Sequence, residues 1–149
     1  MKVKTSYQDY EFNQLIAPIV ENEEYQKMKE CIQHGMNRYD HMIRVSYYSY
    51  KITKFLHLNY KATARASALH DFFFENLKDH KLKQLVSHSD QALENSLEHF
   101  ELSLLEQDII KSHMFPVGKN IPKYLESWIV DLVDDIASIY EKTYVIKNT

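Results

Sequence analysis

The chain has 149 residues, 44% apolar and 13% aromatic, with a formal net charge of −3; that is room for one ordinary domain with its own core. Two glycines and three prolines leave too few tight turns for a β-sandwich or barrel, and nothing for a glycine-rich phosphate loop. The charge leaves no basic footprint for a nucleic acid polymer. Cys31, the single cysteine, excludes an intramolecular disulfide framework and suits a reducing cytoplasm. Residues 1–12 lack the apolar stretch of a signal peptide, and no apolar run approaches the roughly 20 residues that span a bilayer. The expectation is a cytoplasmic, all-α, single-domain helical bundle, unusual in carrying eight histidines.

In chain order, Ser6 is placed to cap a first helix over 7–17, with Asp9 completing a weak capping box and Pro18 interrupting it. A second helix is predicted over 22–33, closed by Gly35 in a left-handed cap. A third covers 39–57. Asn59 caps a fourth, rich in alanine, over 60–74. A charged stretch over 75–83 reads as loop or short helix. A fifth helix runs over 89–100, and a sixth begins at the capping box of Ser103 and Glu106 and stops before Pro116. The last opens at Pro122, well suited to a first helical turn, and runs to about residue 140.

Helical spacing then sorts the polar residues by face. His41, Val45, Tyr48, Ile52 and Phe55 share one stripe of the third helix, which turns His41 inward. Ala62, Ala66, Leu69, His70 and Phe73 share a face of the fourth, with Asp71 adjacent, and its small alanines admit a close neighbour. Leu102, Leu105, Ile109 and His113 line up in the sixth. The last helix carries Asp131, Asp134 and Asp135 among apolar residues, and periodicity does not choose between them. A single inward histidine is usually a core residue bonded to a carbonyl. Several buried imidazoles and carboxylates are costly unless they are paired or hold a metal, and a helical bundle is a common frame for such a centre. Neighbouring helix positions differ by about 100°, so His70 and Asp71 reach one point only from an irregular or terminal turn.

The segments Arg38-Tyr39-Asp40-His41, Ala68-Leu69-His70-Asp71 and Leu132-Val133-Asp134-Asp135 resemble, in order and spacing, the H…HD…D signature of the HD-domain superfamily of metal-dependent phosphohydrolases. The resemblance spans residues 37–141, leaving 1–36 as an N-terminal helical extension. His88 and His113 resemble the extra ligands of the dinuclear branch, and residues 113–116 and 124–128 are similar to a group of small bacterial HD proteins. The resemblance implies a first ion held by His41, His70, Asp71 and Asp134, with Asp71 bridging to a second held by His88 and His113. It also implies an HD-like bundle, one or two divalent transition metals (Fe, Mn, Co or Zn) and a metal-activated hydroxide attacking a small phosphorylated substrate, of the nucleotide or dinucleotide class by family analogy alone. Arg38 and Lys119, with Lys123 behind them, are the candidate phosphate-binding cations, and Asp40 is a candidate partner for a ligating histidine. Two departures from the family pattern bear on substrate: no lysine closely follows the doublet, and Asp135 stands where a basic residue is usual. A di-iron oxygenase on the same six ligands, and a non-catalytic regulatory module binding metal or nucleotide, are the alternatives. No membrane partner is expected. The first 36 residues are a candidate pocket cover or homodimer contact.

Overall fold

A computed structural model describes residues 6–75 and 82–148. It is all-α apart from one two-stranded hairpin. The first helix, α1 (Tyr10–Val20), is capped by Asp9, whose side chain accepts from the Phe12 amide, and it continues through Pro18. Proline removes one helical donor. Burial of Phe12, Ile16 and Ile19 holds the helix together around it, so it begins later and ends later than spacing alone suggests.

The predicted helix over 22–33 breaks into three pieces. They are α2 (Glu23–Gln26), a 3₁₀ turn (Lys27–Glu30) and the hairpin of β1 (Ile32–Gln33) with β2 (Met36–Asn37). His34 and Gly35 both take positive φ, 56° and 75°, as a two-residue hairpin turn requires. Gly35 therefore serves this turn rather than a helix cap. A Cβ there would lie 3.0 Å from Val145, so the glycine also lets the hairpin settle against the last helix.

Asn37 caps α3 (Arg38–Phe55), accepting from the Asp40 amide. Asn59 caps α4 (Tyr60–Ala68), which packs along α3. The stripe expected on α3 is correct at His41 and Val45 but not beyond: Tyr48, Ile52 and Phe55 are exposed. The buried face there runs instead through Ser46, Ser49 and Thr53. These small side chains admit the alanines of α4, and the hydroxyls of Ser46 and Thr53 are met locally. Ser46 donates to the Ala64 carbonyl at 2.7 Å and Thr53 to the Ser49 carbonyl at 2.7 Å.

The fourth helix ends at Ala68 rather than 74. After the gap, α5 (Leu82–His99) is already helical well before residue 89, which puts His88 inside the helix. Most of the charged stretch over 75–83, with His80, lies outside the described residues. Ser103 and Glu106 make the expected capping box at the start of α6 (Leu104–Ser112). The last helix, α7 (Leu125–Lys147), starts after Pro122 and extends beyond residue 140. Asp108 Oδ2 accepts from the Lys123 amide at 3.0 Å and from Ser127 Oγ at 2.6 Å, which anchors the entry to α7. No helix among the described residues is long and apolar enough to cross a membrane. The core is built from Phe12, Ile19, Tyr25, Met28, Met42, Tyr50, Leu69, Phe72, Ile109 and Ile110, all fully buried.

Candidate metal centre

Where α4 stops, Leu69 closes the helix and His70 and Asp71 follow in the turn. This is the terminal geometry that lets consecutive side chains aim at one point. Three polar side chains clamp four carbonyls around it. Tyr25 Oη donates to Ala68 O at 2.6 Å, Asn95 Nδ2 to Phe72 O at 3.0 Å, and Arg38 to Phe73 O and, at 2.7 Å, to Glu75 O. The turn is thus held by α2, α5 and α3 at once.

His41 from α3, His70 and Asp71 from the turn, and Asp134 from α7 form one buried group; Asp71, His88 from α5 and His113 at the end of α6 form a second. Their ligand atoms converge. His41 Nε2 is 2.9 Å from Asp134 Oδ1 and 3.4 Å from Asp71 Oδ2, and His70 Nε2 is 3.3 Å from Asp71 Oδ2. On the other side, His88 and His113 Nε2 lie 3.2 and 3.1 Å from Asp71 Oδ1. Asp71 therefore gives one carboxylate oxygen to each group.

Three observations fit metal ions at these groups. First, such separations are the edges of a coordination shell with bonds of about 2 Å, the length usual for histidine nitrogen and carboxylate oxygen. Second, the outer ring nitrogens of three of the four histidines are tied down, while His88 Nδ1 has no partner among the described residues. His41 Nδ1 donates to Glu141 at 2.8 Å, His70 Nδ1 to Ser67 O at 2.6 Å and His113 Nδ1 to Ile110 O at 2.7 Å. Such bonds fix the tautomer and leave Nε2 free as a ligand. Third, Asp71 Oδ1 is buried and makes no hydrogen bond among the described residues, although two imidazole nitrogens stand close to it. A cation between them satisfies all three atoms.

Electrostatics give the same picture. Burial disfavours charged imidazole at His41 and His70, yet the facing carboxylates prevail. Asp134, Asp71 and Glu141 lift His41 well above its ordinary value, and Asp71 and Asp134 lift His70 to about 10. Burial also opposes ionisation of Asp71 and Asp134, but His70 and the neighbouring imidazoles hold both far below the usual carboxylate range. Without an ion, protons on the imidazoles neutralise the carboxylates; an ion takes over that role and releases them.

A cavity of about 290 Å³ opens over the ligands, lined among others by Gln33, His34, Asp71, His88, Asp134 and Lys142. Arg38 and Lys119 are not among its walls. Arg38 is fully buried, lies 3.7 Å above the Phe73 ring and gives its donors to Phe73 O, Glu75 O and, at 2.8 Å, Gln33 Oε1. Its guanidinium is engaged in holding the turn and is buried away from the cavity. Lys119 is exposed, 3.8 Å from Asp90, beside a separate cleft that also includes Lys123. Asp40 bonds Asn37 at the start of α3 and does not reach a ligand. Of the three aspartates on α7, Asp134 joins the cluster and Asp135 is exposed. Asp131 is buried apart from the cluster, its carboxyl raised to about 7 by burial and by Asp135 and Asp134.

Four residues at the site escaped the sequence reading. Glu141 holds His41, takes a bond from Arg44 and lies 3.2 Å from His34. These partners overcome its burial and hold its carboxyl down at about 2. Gln33, itself oriented by Arg38, donates to Asp71 Oδ2 at 2.7 Å. His34 and Lys142 line the mouth. Glu141 sits seven residues after Asp134, a spacing that repeats a helix face and was available as a signal; the hairpin residues left none. Gln33 and His34 reach the site from the N-terminal side of residue 37. No family model, no curated protein and no solved structure matches this chain.

Proposed function

We propose that this chain is a metal-dependent phosphohydrolase of the HD-domain kind, with two divalent transition metals (Fe, Mn, Co or Zn) held at the two groups that share Asp71. The observation that carries the reading is the split carboxylate of Asp71, with one oxygen facing each histidine group. When bound, such a pair of ions lowers the pKa of a water and neutralises charge on a phosphoryl group.

The chain's own residues do the rest. Glu141 and Gln33 fix the ring of His41 and the carboxylate of Asp71 by hydrogen bonds, so the ligands are in place before substrate arrives. Lys142, on the cavity wall, is the cation available to phosphoryl oxygens that face away from the ions, with His34 beside it as a hydrogen-bonding group. Leu85 and Met114 form apolar parts of the same wall and limit the entry of bulk water. The substrate class is a small phosphate ester or anhydride, with nucleotides and dinucleotides favoured by the family resemblance. A cytoplasmic setting accords with one buried free cysteine, Cys31.

The test is phosphate release from a panel of phosphomonoesters, nucleotides and dinucleotides by protein reconstituted in turn with Mn, Fe, Co and Zn. Turnover on at least one class, absent with Asp71→Asn, is the expected result. Tight nucleotide binding without turnover on any substrate, or oxygen consumption in place of hydrolysis, contradicts the proposal.

A further inference from the structure

The last helix is apolar on two faces. Its inner face, with Val130, Val133 and Ala137, is buried, yet Leu125, Trp128, Leu132, Ile136, Ile139, Tyr140 and Ile146 on the other side are all exposed. Leu125, Leu132, Ile139 and Ile146 recur every seven residues, so they stay aligned along a helix about 34 Å long. A helix apolar all round is normally covered. Taking roughly 150–250 Å² for an aromatic side chain and somewhat less for Leu or Ile, the seven, each 43–75% exposed, present on the order of 700 Å². That is about one partner's share of a standard interface, and more than the few hundred Å² of apolar patch usual on a monomer. Beside the stripe, an apolar groove of about 420 Å³ between α3 and α7, walled by Tyr48, Ile52, Ile136 and Tyr140, widens the same surface.

We infer that this face is the interface of a homodimer in which α7 packs antiparallel against α7 of a second copy around a two-fold axis. Charge selects both the occupant and the direction. On α7 itself the exposed and partly exposed charges are acidic in the first half, Glu126 and Asp135, and basic in the second, Lys142 and Lys147, with Asp135 and Lys142 at the edge shared with the metal cavity. An antiparallel second copy sets acidic half against basic half twice over, whereas a parallel one sets like against like. An anionic membrane would meet the acidic half unfavourably. The inference is independent of any metal chemistry, because none of the seven stripe residues is a candidate ligand.

The test is the mass of the full chain by light scattering and sedimentation at about 10–100 µM, the micromolar range in which specific pairs associate. The expected mass is about twice 17.8 kDa, falling to the monomer value in the double variant Leu132→Glu, Ile139→Glu. Both side chains are largely exposed, so the helical circular dichroism should stay unchanged. As a second readout, Ile136→Cys, near the midpoint of α7, should give a disulfide-linked dimer on mild oxidation. A wild-type monomer throughout this range overturns the inference. So does a dimer that survives the double variant with Ile136→Cys uncrosslinked, or a monomer that binds vesicles of anionic lipid through this stripe.

Discussion

On the proposed two-ion reading, Asp71→Asn is expected to abolish metal binding at both groups while the fold survives. The substitution preserves size, and the new amide can donate to the imidazole nitrogens that now crowd Asp71, so the metal-free cluster remains satisfied. What disappears is the negative charge and one of the two oxygens that link the groups. Metal affinity should fall by more than the roughly 10–100-fold typical of losing an outer hydrogen-bond partner, and any hydrolytic activity should fall with it. Elemental analysis of the purified variant, with circular dichroism as the control for folding, reads this directly. A variant that keeps two ions at wild-type affinity contradicts the bridging role.

Glu141→Gln is the second large effect, because it separates holding a ligand from being one. Glu141 lies outside the two groups that share Asp71, although with His34 and His41 it forms a third cluster close enough to hold an ion; it accepts from His41 Nδ1 and is bonded by Arg44. Gln retains the shape and an acceptor oxygen but not the charge. Metal affinity should drop by about 10–100-fold with stoichiometry at saturation unchanged. Loss of a buried charge-assisted hydrogen bond should lower stability by about 1.5–3 kcal/mol. Glu141→Asp, which restores charge on a shorter arm, should recover part of the affinity. Competition titration against a chelator of known affinity measures the first effect and urea unfolding the second. Unchanged affinity in the Gln variant would assign Glu141 to packing alone.

The sequence exposed the parts of this centre that lie on regular helix. Spacing alone turns His41 and His113 inward, and the requirement that His70 and Asp71 leave a terminal turn matches the end of α4 at Ala68. Legibility failed where packing overrides pattern. Tyr25, Met28 and Cys31 mimic a helical stripe, but the chain departs into a 3₁₀ turn and a hairpin. Gln33 and His34 reach the centre by that route, which periodicity does not encode. Its place one turn before His41 makes Arg38 a candidate cation for phosphate; here its planar fork finds three oxygen acceptors inside the protein. On α3 the hydroxyls of Ser46, Ser49 and Thr53 disguise a buried face as a polar one. Tyr48, Ile52 and Phe55 are left on the outside.

The most direct measurement is the number of transition-metal ions per chain, by elemental analysis of protein purified without chelator or metal-affinity resin. The two groups joined at Asp71 predict about two ions. His88→Ala or His113→Ala should remove the second and leave the one held by His41, His70, Asp71 and Asp134. No bound metal after reconstitution with Mn, Fe, Co or Zn would contradict the account and leave the cluster as a proton-neutralised structural core.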